Sequence, residues 1–299
     1  MTSVSNIGHM ALRVTDLDRA VDFQSGVMGL VETERVGRVS YMTCNDRHHE
    51  LILIESDKWG YDHIALEVEA PEDLEVLSRQ TAAAGGKVLT PIQEGETGID
   101  RCFFVRSPAG HVFKIFHGMV KVSDPEPGDR PSQFEHVSTK ALRMGREEKF
   151  LSEGLGFRFS DRLGRTASWW HCDPDHHGMA VVIAPRAELS HYAWSLPDLN
   201  ALGRVADRLR TRGQRAIWGP SRHGPGNNLF LYFHDADGAM IECCAELEQM
   251  PPAGDYKPRK WTGGLKDINQ WGSTPPAKFL LTGFPINHQP TDQPERQHS

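Results

Sequence analysis

The chain has 299 residues, 38% of them hydrophobic, enough for one large or two medium cores when domains run to about 100–200 residues. A formal net charge of −7 with no basic run excludes the electrostatic footprint of a nucleic-acid or anionic-membrane partner, leaving a soluble enzyme or small-molecule binder. Five cysteines (44, 102, 172, 243 and 244) form no CxxC pair and exclude a disulfide framework or a thiolate zinc site.

The opening MTSVSNIGHMALRV has no basic segment followed by an apolar core, and no apolar run approaches the ~20 residues that span a bilayer. The expectation is therefore a cytoplasmic protein. Residues 7–14 read as a strand, and Thr15-Asp-Leu-Asp18 as a capping-box-like start to a helix that Gly26 and Gly29 help to end. Strands are predicted at 38–44, 49–55 and 61–69. A second helix follows over 72–84, with Leu74, Leu77 and Ala84 on its apolar stripe and Gly85-Gly86 as its stop. A hairpin, 101–106 with 111–116, precedes the Pro- and charge-rich linker VSDPEPGDRPSQ.

Beyond the linker the chain repeats itself. NIGHMALRV returns as QFEHVSTKA, pairing His9 with His136 at 136 − 9 = 127. The doublet His48-His49 returns as His176-His177, and His63 as His191, at 191 − 63 = 128. In the same register Leu74 meets Leu202, Gly85 meets Gly213 and Lys114 meets Glu242. The chain is thus two copies of one module, residues 5–120 and 132–246. The expected division is an N-terminal structural module without metal (1–122), a C-terminal catalytic module with a metal site (132–248) and a tail (249–299). In the second copy the matching helix carries Leu199, Leu202, Val205, Ala206 and Leu209 on one face and stops at Gly213. The fold class is α+β: two tandem modules, each of paired βαβββ units with curled mixed or antiparallel sheets around a hollow.

The stretch from His223 to Glu242 reads as a Gly/Pro loop and a β-hairpin turning at Asp235-Ala-Asp-Gly238. Strand alternation sets Phe230 and Tyr232 on one face, Leu231 and Phe233 on the other. Glu242 stands among Met240, Ile241, Cys243 and Cys244, where an unpaired carboxylate is costly to bury and calls for a cation or a strong partner. His136, His191 and Glu242 come from three strands; two imidazoles and one carboxylate are the ligand set that holds Fe(II) and leaves positions open. The first copy offers His9, His63 and Lys114 instead, and an ammonium repels a dication. It also has Gly95 in place of His223 and Phe104 in place of Tyr232.

The paired modules, the His136/His191/Glu242 trio, the HH doublet and the His223…Tyr232…Glu242 spacing resemble the type I extradiol catechol dioxygenases of the vicinal oxygen chelate superfamily. The resemblance spans nearly all of residues 5–246. It implies Fe(II), with Mn(II) accepted by the same ligands, and a catechol plus O₂ as substrates, giving a ring-opened semialdehyde in aromatic catabolism. His177 becomes the acid/base, with His176 left open because His48-His49 repeats the doublet in the first copy. His223 and Tyr232 hydrogen-bond the bound catecholate, and Trp169 forms a wall of the substrate pocket, joined by Trp218. No Arg stands where the family grips a carboxylate side chain, which points to a neutral, apolar-substituted catechol. A homo-oligomer is expected, with neither nucleic acid nor membrane as partner. Two other readings of the superfamily are a glyoxalase-like metal isomerase and a metal-free drug-binding protein; the lost first-copy site and the His223/Tyr232 pair count against the isomerase. The Pro-rich tail carries Trp261, Trp271 and AKFLLTGF and is expected to pack over the second module or another subunit before TDQPERQHS frays.

Overall fold

A computed structural model describes residues 2–95, 97–126, 128–251 and 255–289. The first module runs β1 (Asn6–Val14), α1 (Leu17–Phe23), β2 (Val31–Val36), β3 (Val39–Thr43), β4 (Leu51–Glu55), β5 (Gly60–Glu67), α2 (Asp73–Ala83), β6 (Lys87–Val88), β7 (Gln93–Glu94), β8 (Ile99–Arg106) and β9 (Val112–Met119). The second repeats it as β10 (Gln133–Ala141), α3 (Met144–Lys149), β11 (Arg158–Leu163), β12 (Ala167–His171), β13 (Met179–Ile183), β14 (Glu188–Ser195), α4 (Leu199–Thr211), β15 (Trp218–Arg222), β16 (Leu229–His234) and β17 (Met240–Ala245). Each module is two βαβββ units, as the sequence implied. The strands missed in sequence include β2 and its copy β11, the short β6 and β7, and β15. VETERV is charged and half-exposed, so it lacks the apolar alternation that marks a strand.

Local chemistry explains the helix boundaries. Asp16, not Thr15, caps α1 by accepting from the Arg19 N–H at 3.0 Å. The helix loosens into a π turn, Gln24–Met28, and ends at Gly29, whose φ of +76° and crowding by the Asp129 carbonyl suit only glycine. In α4 Leu202, Val205 and Leu209 of the predicted stripe are buried together with Ala201, whereas Leu199 at the first turn is exposed and Ala206 only partly buried. Fully burying one such leucine is worth about 1.5–3 kcal/mol.

Both sheets share one plan. β1 pairs β4 in parallel and β5 antiparallel, and β5 pairs β9 in parallel; β10, β13, β14 and β17 repeat these relations. Lys114 is opposite Ala65 and Phe104 in the first sheet, and Glu242 is opposite Ala193 and Tyr232 in the second. The repeat read from the sequence is therefore a repeat of backbone register. Helix-facing residues of both sheets join in one core that includes Leu231 and Phe233, while Phe230 and Tyr232 point to the other face with Trp218 and Met240.

The tail packs on the second module. β18 (Lys260–Trp261) lies parallel to β11, α5 (Leu265–Ile268) and α6 (Ala277–Leu281) follow, and β19 (Phe284–Pro285) pairs antiparallel with β14. The expectation for TDQPERQHS falls outside the described residues. Among those described, no helix is long and apolar enough to cross a membrane.

Candidate metal centre

Three strands bring together the side chains that the sequence singled out. His136 on β10, His191 on β14 and Glu242 on β17 are buried, and their Nε2 and Oε2 atoms converge. Glu242 Oε2 lies 3.1 Å from His136 Nε2 and 3.0 Å from His191 Nε2, and the two nitrogens are 3.3 Å apart. Donors set about 2.1 Å from one ion, at right angles, stand about 3 Å from each other, so the trio fits a divalent metal without rearrangement.

Surrounding groups orient these donors. Glu135 Oε2 lies 3.1 Å from His136 Nδ1, which favours a proton on Nδ1 and turns Nε2 toward Glu242 and His191. Burial alone would lower the His136 pKa, but the Glu135 and Glu242 carboxylates hold it up at about 9. Burial would likewise raise Glu242, yet hydrogen bonds from His136, His191 and His223 keep its carboxyl well below the usual range. Asn228 Nδ2 donates to the other carboxylate oxygen at 3.2 Å. Asn228 was missed in sequence, although the shift of 128 places it opposite Asp100, a copy-specific change of the kind that marked His223.

His177 is buried beside the trio, its ring 4.4 Å from that of His136. Its Nδ1 is 3.0 Å from His176 Nδ1, and His176 Nε2 is 3.2 Å from Asp161 Oδ2. Burial, then the neighbouring His136, push the His177 pKa well below its ordinary value, so the ring is neutral. Across the cavity His223 Nε2 meets the Tyr232 hydroxyl at 3.0 Å, and His223 Nδ1 lies 2.7 Å from the Ile268 carbonyl. That carbonyl can only accept, so His223 Nδ1 carries a proton. The proton assignment thus comes from the tail, which no motif in the body of the chain reveals.

These groups line a cavity of about 350 Å³. Its walls include Leu163, Ala167, Trp169, Ala180, Val182 and Trp218, with the hydroxyls of Ser138, Thr166 and Ser190 among them, and tail residues Ile268, Pro275, Phe279 and Leu280 also line it. Trp169 faces the cavity, whereas Trp170 belongs to the core. Lys140, the penultimate residue of β10, lines the cavity and donates to the Thr282 carbonyl.

The first module keeps the scaffold but not the ligand trio. His9 Nε2 and His63 Nε2 are 3.4 Å apart, and Lys114, fully buried, replaces the carboxylate. Another cluster there, Asp62, His63 and His288, is held as an ion network: Asp62 Oδ1 takes both imidazoles at 2.8 and 2.9 Å, and Arg13 covers Oδ2 at 2.8 Å.

Paired βαβββ modules whose inner faces carry two imidazoles and a carboxylate define a class of proteins built to chelate a metal and a small oxygen-bearing ligand in one hollow. The chain belongs to the Glyoxalase/Bleomycin resistance protein/Dioxygenase superfamily, whose family model matches residues 6–115 and 134–243. The manganese-dependent 2,3-dihydroxybiphenyl 1,2-dioxygenase of Geobacillus genomosp. 3 is 27% identical over 257 residues, covering 78% of this chain and 82% of that one. The metapyrocatechase of Pseudomonas sp. (strain CF600) is 25% identical over 289 residues, 88% of this chain and 92% of its own. Among solved structures, the Mn(II)-bound glyoxalase from Novosphingobium aromaticivorans superposes with a TM-score of 0.88 at 26% identity, covering 96% of each chain. The sequence resemblance to the extradiol dioxygenases and the fold it implied both hold.

Proposed function

We propose that the chain is an extradiol ring-cleaving dioxygenase, opening a catechol beside its diol and placing both atoms of O₂ in the ring-opened semialdehyde. The observation that carries this reading is the asymmetry of the cavity: a two-His, one-carboxylate trio at its base, a neutral imidazole on one side and a Tyr–His pair on the other. His136, His191 and Glu242 hold the metal, Fe(II) first and Mn(II) as the other candidate, both suited to this donor set. Bound there, the ion would chelate the two vicinal oxygens, lower their pKa and leave room for dioxygen.

The remaining chemistry belongs to the chain. His177, with Nδ1 engaged by His176, has Nε2 left to take a proton from a substrate hydroxyl and later return it. The Tyr232 hydroxyl, backed by His223, donates to charge that builds on the substrate oxygen. Trp169 stacks against the ring or its substituent, and the tail segment over the cavity excludes bulk water. The first module serves as a structural partner, and five free cysteines suit a reducing cytoplasm.

The test is direct. Anaerobically purified protein, stripped and reloaded with Fe(II) or Mn(II), is mixed with 3-methylcatechol, 4-methylcatechol or 2,3-dihydroxybiphenyl. A yellow product with equimolar uptake of O₂ is expected. A colourless muconate, or no uptake by fully loaded protein across the panel, overturns the assignment and favours an isomerase.

A further inference from the structure

Asp161 lies outside the cavity and outside every motif read from the sequence, yet it is fully buried and gathers partners from two segments, the tail and the HH doublet. From the tail, the Tyr256 hydroxyl donates at 2.8 Å, the Arg259 backbone N–H at 2.7 Å, Arg259 Nε at 3.1 Å and the Trp261 indole N–H at 2.9 Å. From the HH doublet, His176 Nε2 stands 3.2 Å away. The backbone reinforces both sides. Ser160 donates to the His176 carbonyl at 2.6 Å, and β18 runs parallel to β11 with Leu163 opposite Trp261.

The proton positions along this line follow from what each group can do. A carboxylate beside His176 Nε2 favours the tautomer with hydrogen on that nitrogen. His176 Nδ1 is then a lone pair, so the 3.0 Å contact with His177 needs the hydrogen on His177 Nδ1. The lone pair of His177 is thereby placed on Nε2, the atom a base must present. Asp161 never touches the substrate; it acts through His176.

The first module contains an older form of the same line. Glu34 Oε2 is 3.2 Å from His48 Nε2, and His48 Nδ1 is 2.9 Å from His49 Nδ1. There the carboxylate side chain is 43% exposed, whereas that of Asp161 is 0% exposed. The carboxylate–His–His line is therefore inherited, and what the second module adds is the tail seated on its carboxylate. The tail residues that follow, from Gly263 to Leu280, line the cavity, and the Ile268 carbonyl among them holds the Nδ1 proton of His223.

We infer that Asp161 is a positioning residue which fixes the tautomer of His177 through His176 and makes that tautomer depend on the seating of the 256–261 strand. Closure of the tail and readiness of the base are then one event. This inference rests on the proposed role of His177, but its first test does not require turnover. In metal-free protein, long-range ¹⁵N–¹H spectra of the histidines should show His177 as the Nδ1–H tautomer. In Asp161→Asn, and separately in the Tyr256→Phe/Trp261→Phe double variant, His177 should become a mixture of tautomers while hydrogen exchange across 256–281 accelerates. In the loaded enzyme the same variants should lower kcat about 10–100-fold, the usual cost of removing a partner that orients a working histidine, with KM little changed. A tail released in exchange measurements beside an unaltered His177 tautomer overturns the coupling. Failure of ring cleavage by wild-type protein strikes the proposed function and leaves the tautomer result standing by itself.

Discussion

Tyr232 and Glu242 face each other across the β16–β17 ladder, and Phe104 and Lys114 hold the same two places across β8–β9. One register thus carries a phenol beside a carboxylate in one module and an apolar ring beside an amine in the other. Metal analysis should accordingly find one ion per chain. Glu242→Ala should abolish binding, and the volume-conserving Lys114→Met should leave it intact. Two ions per wild-type chain, or metal retained without Glu242, would refute the division of labour between the modules.

His177 touches His136 by its ring but gives no donor atom to the trio. Replacing it with Asn should leave metal content near that of wild type and reduce kcat strongly, because a positioned acid/base contributes about 10²–10⁴-fold. Metal loss parallel to the activity loss would make it a ligand or a packing residue.

What the sequence made legible was whatever the duplication preserved or altered in register. His136, His191, Glu242, His223 and Tyr232 stood out because a second copy of the chain supplied the comparison, and the structure brings all five to one cavity. His177 and Trp169 line the same cavity. Asp161 was invisible for a physical reason: its role depends on Tyr256, Arg259 and Trp261, roughly a hundred residues away in a tail without periodicity. The Ile268 carbonyl was equally hidden, since any residue supplies one. β2 escaped because its side chains face water more than core, and β11 because its buried positions include the polar Ser160 and Asp161; either removes the alternation that reveals a strand.

The cavity wall of Leu163, Ala167, Trp169, Ala180 and Val182 is apolar, and its one lysine, Lys140, is already engaged by the Thr282 carbonyl. Alkyl- and aryl-substituted catechols should therefore be turned over with higher kcat/KM than carboxylated ones. Trp169→Ala should raise KM for an aryl catechol by about 3–10-fold, the worth of one aromatic contact of about 0.5–1.5 kcal/mol. Protocatechuate outperforming 4-methylcatechol would show that Lys140 leaves its carbonyl to grip an anion.

Glu147 joins the modules: it sits on α3 of the second, fully buried, and its Oε2 accepts from the Ala109 N–H of the first at 3.1 Å. Burial pushes its pKa up to about 7, against smaller opposing help from the Ser107 hydroxyl and that N–H. A carboxyl raised in the folded state is neutral there while the unfolded chain, near 4.5, has already ionised. Between those values the unfolded state holds fewer protons, so stability falls as pH rises, and the full cost is reached above about 7. Glu147→Gln keeps the shape and the acceptor and removes the ionisation. At pH 5 the variant and wild type should melt within a degree or two of each other. By pH 8 the variant should be the more stable, on the order of 3 kcal/mol at most, which for a chain of this size is several degrees in Tm. Melting curves at pH 5, 6, 7 and 8 measure the gap, and a gap that stays constant across the series would remove the ionisation of Glu147 as its cause.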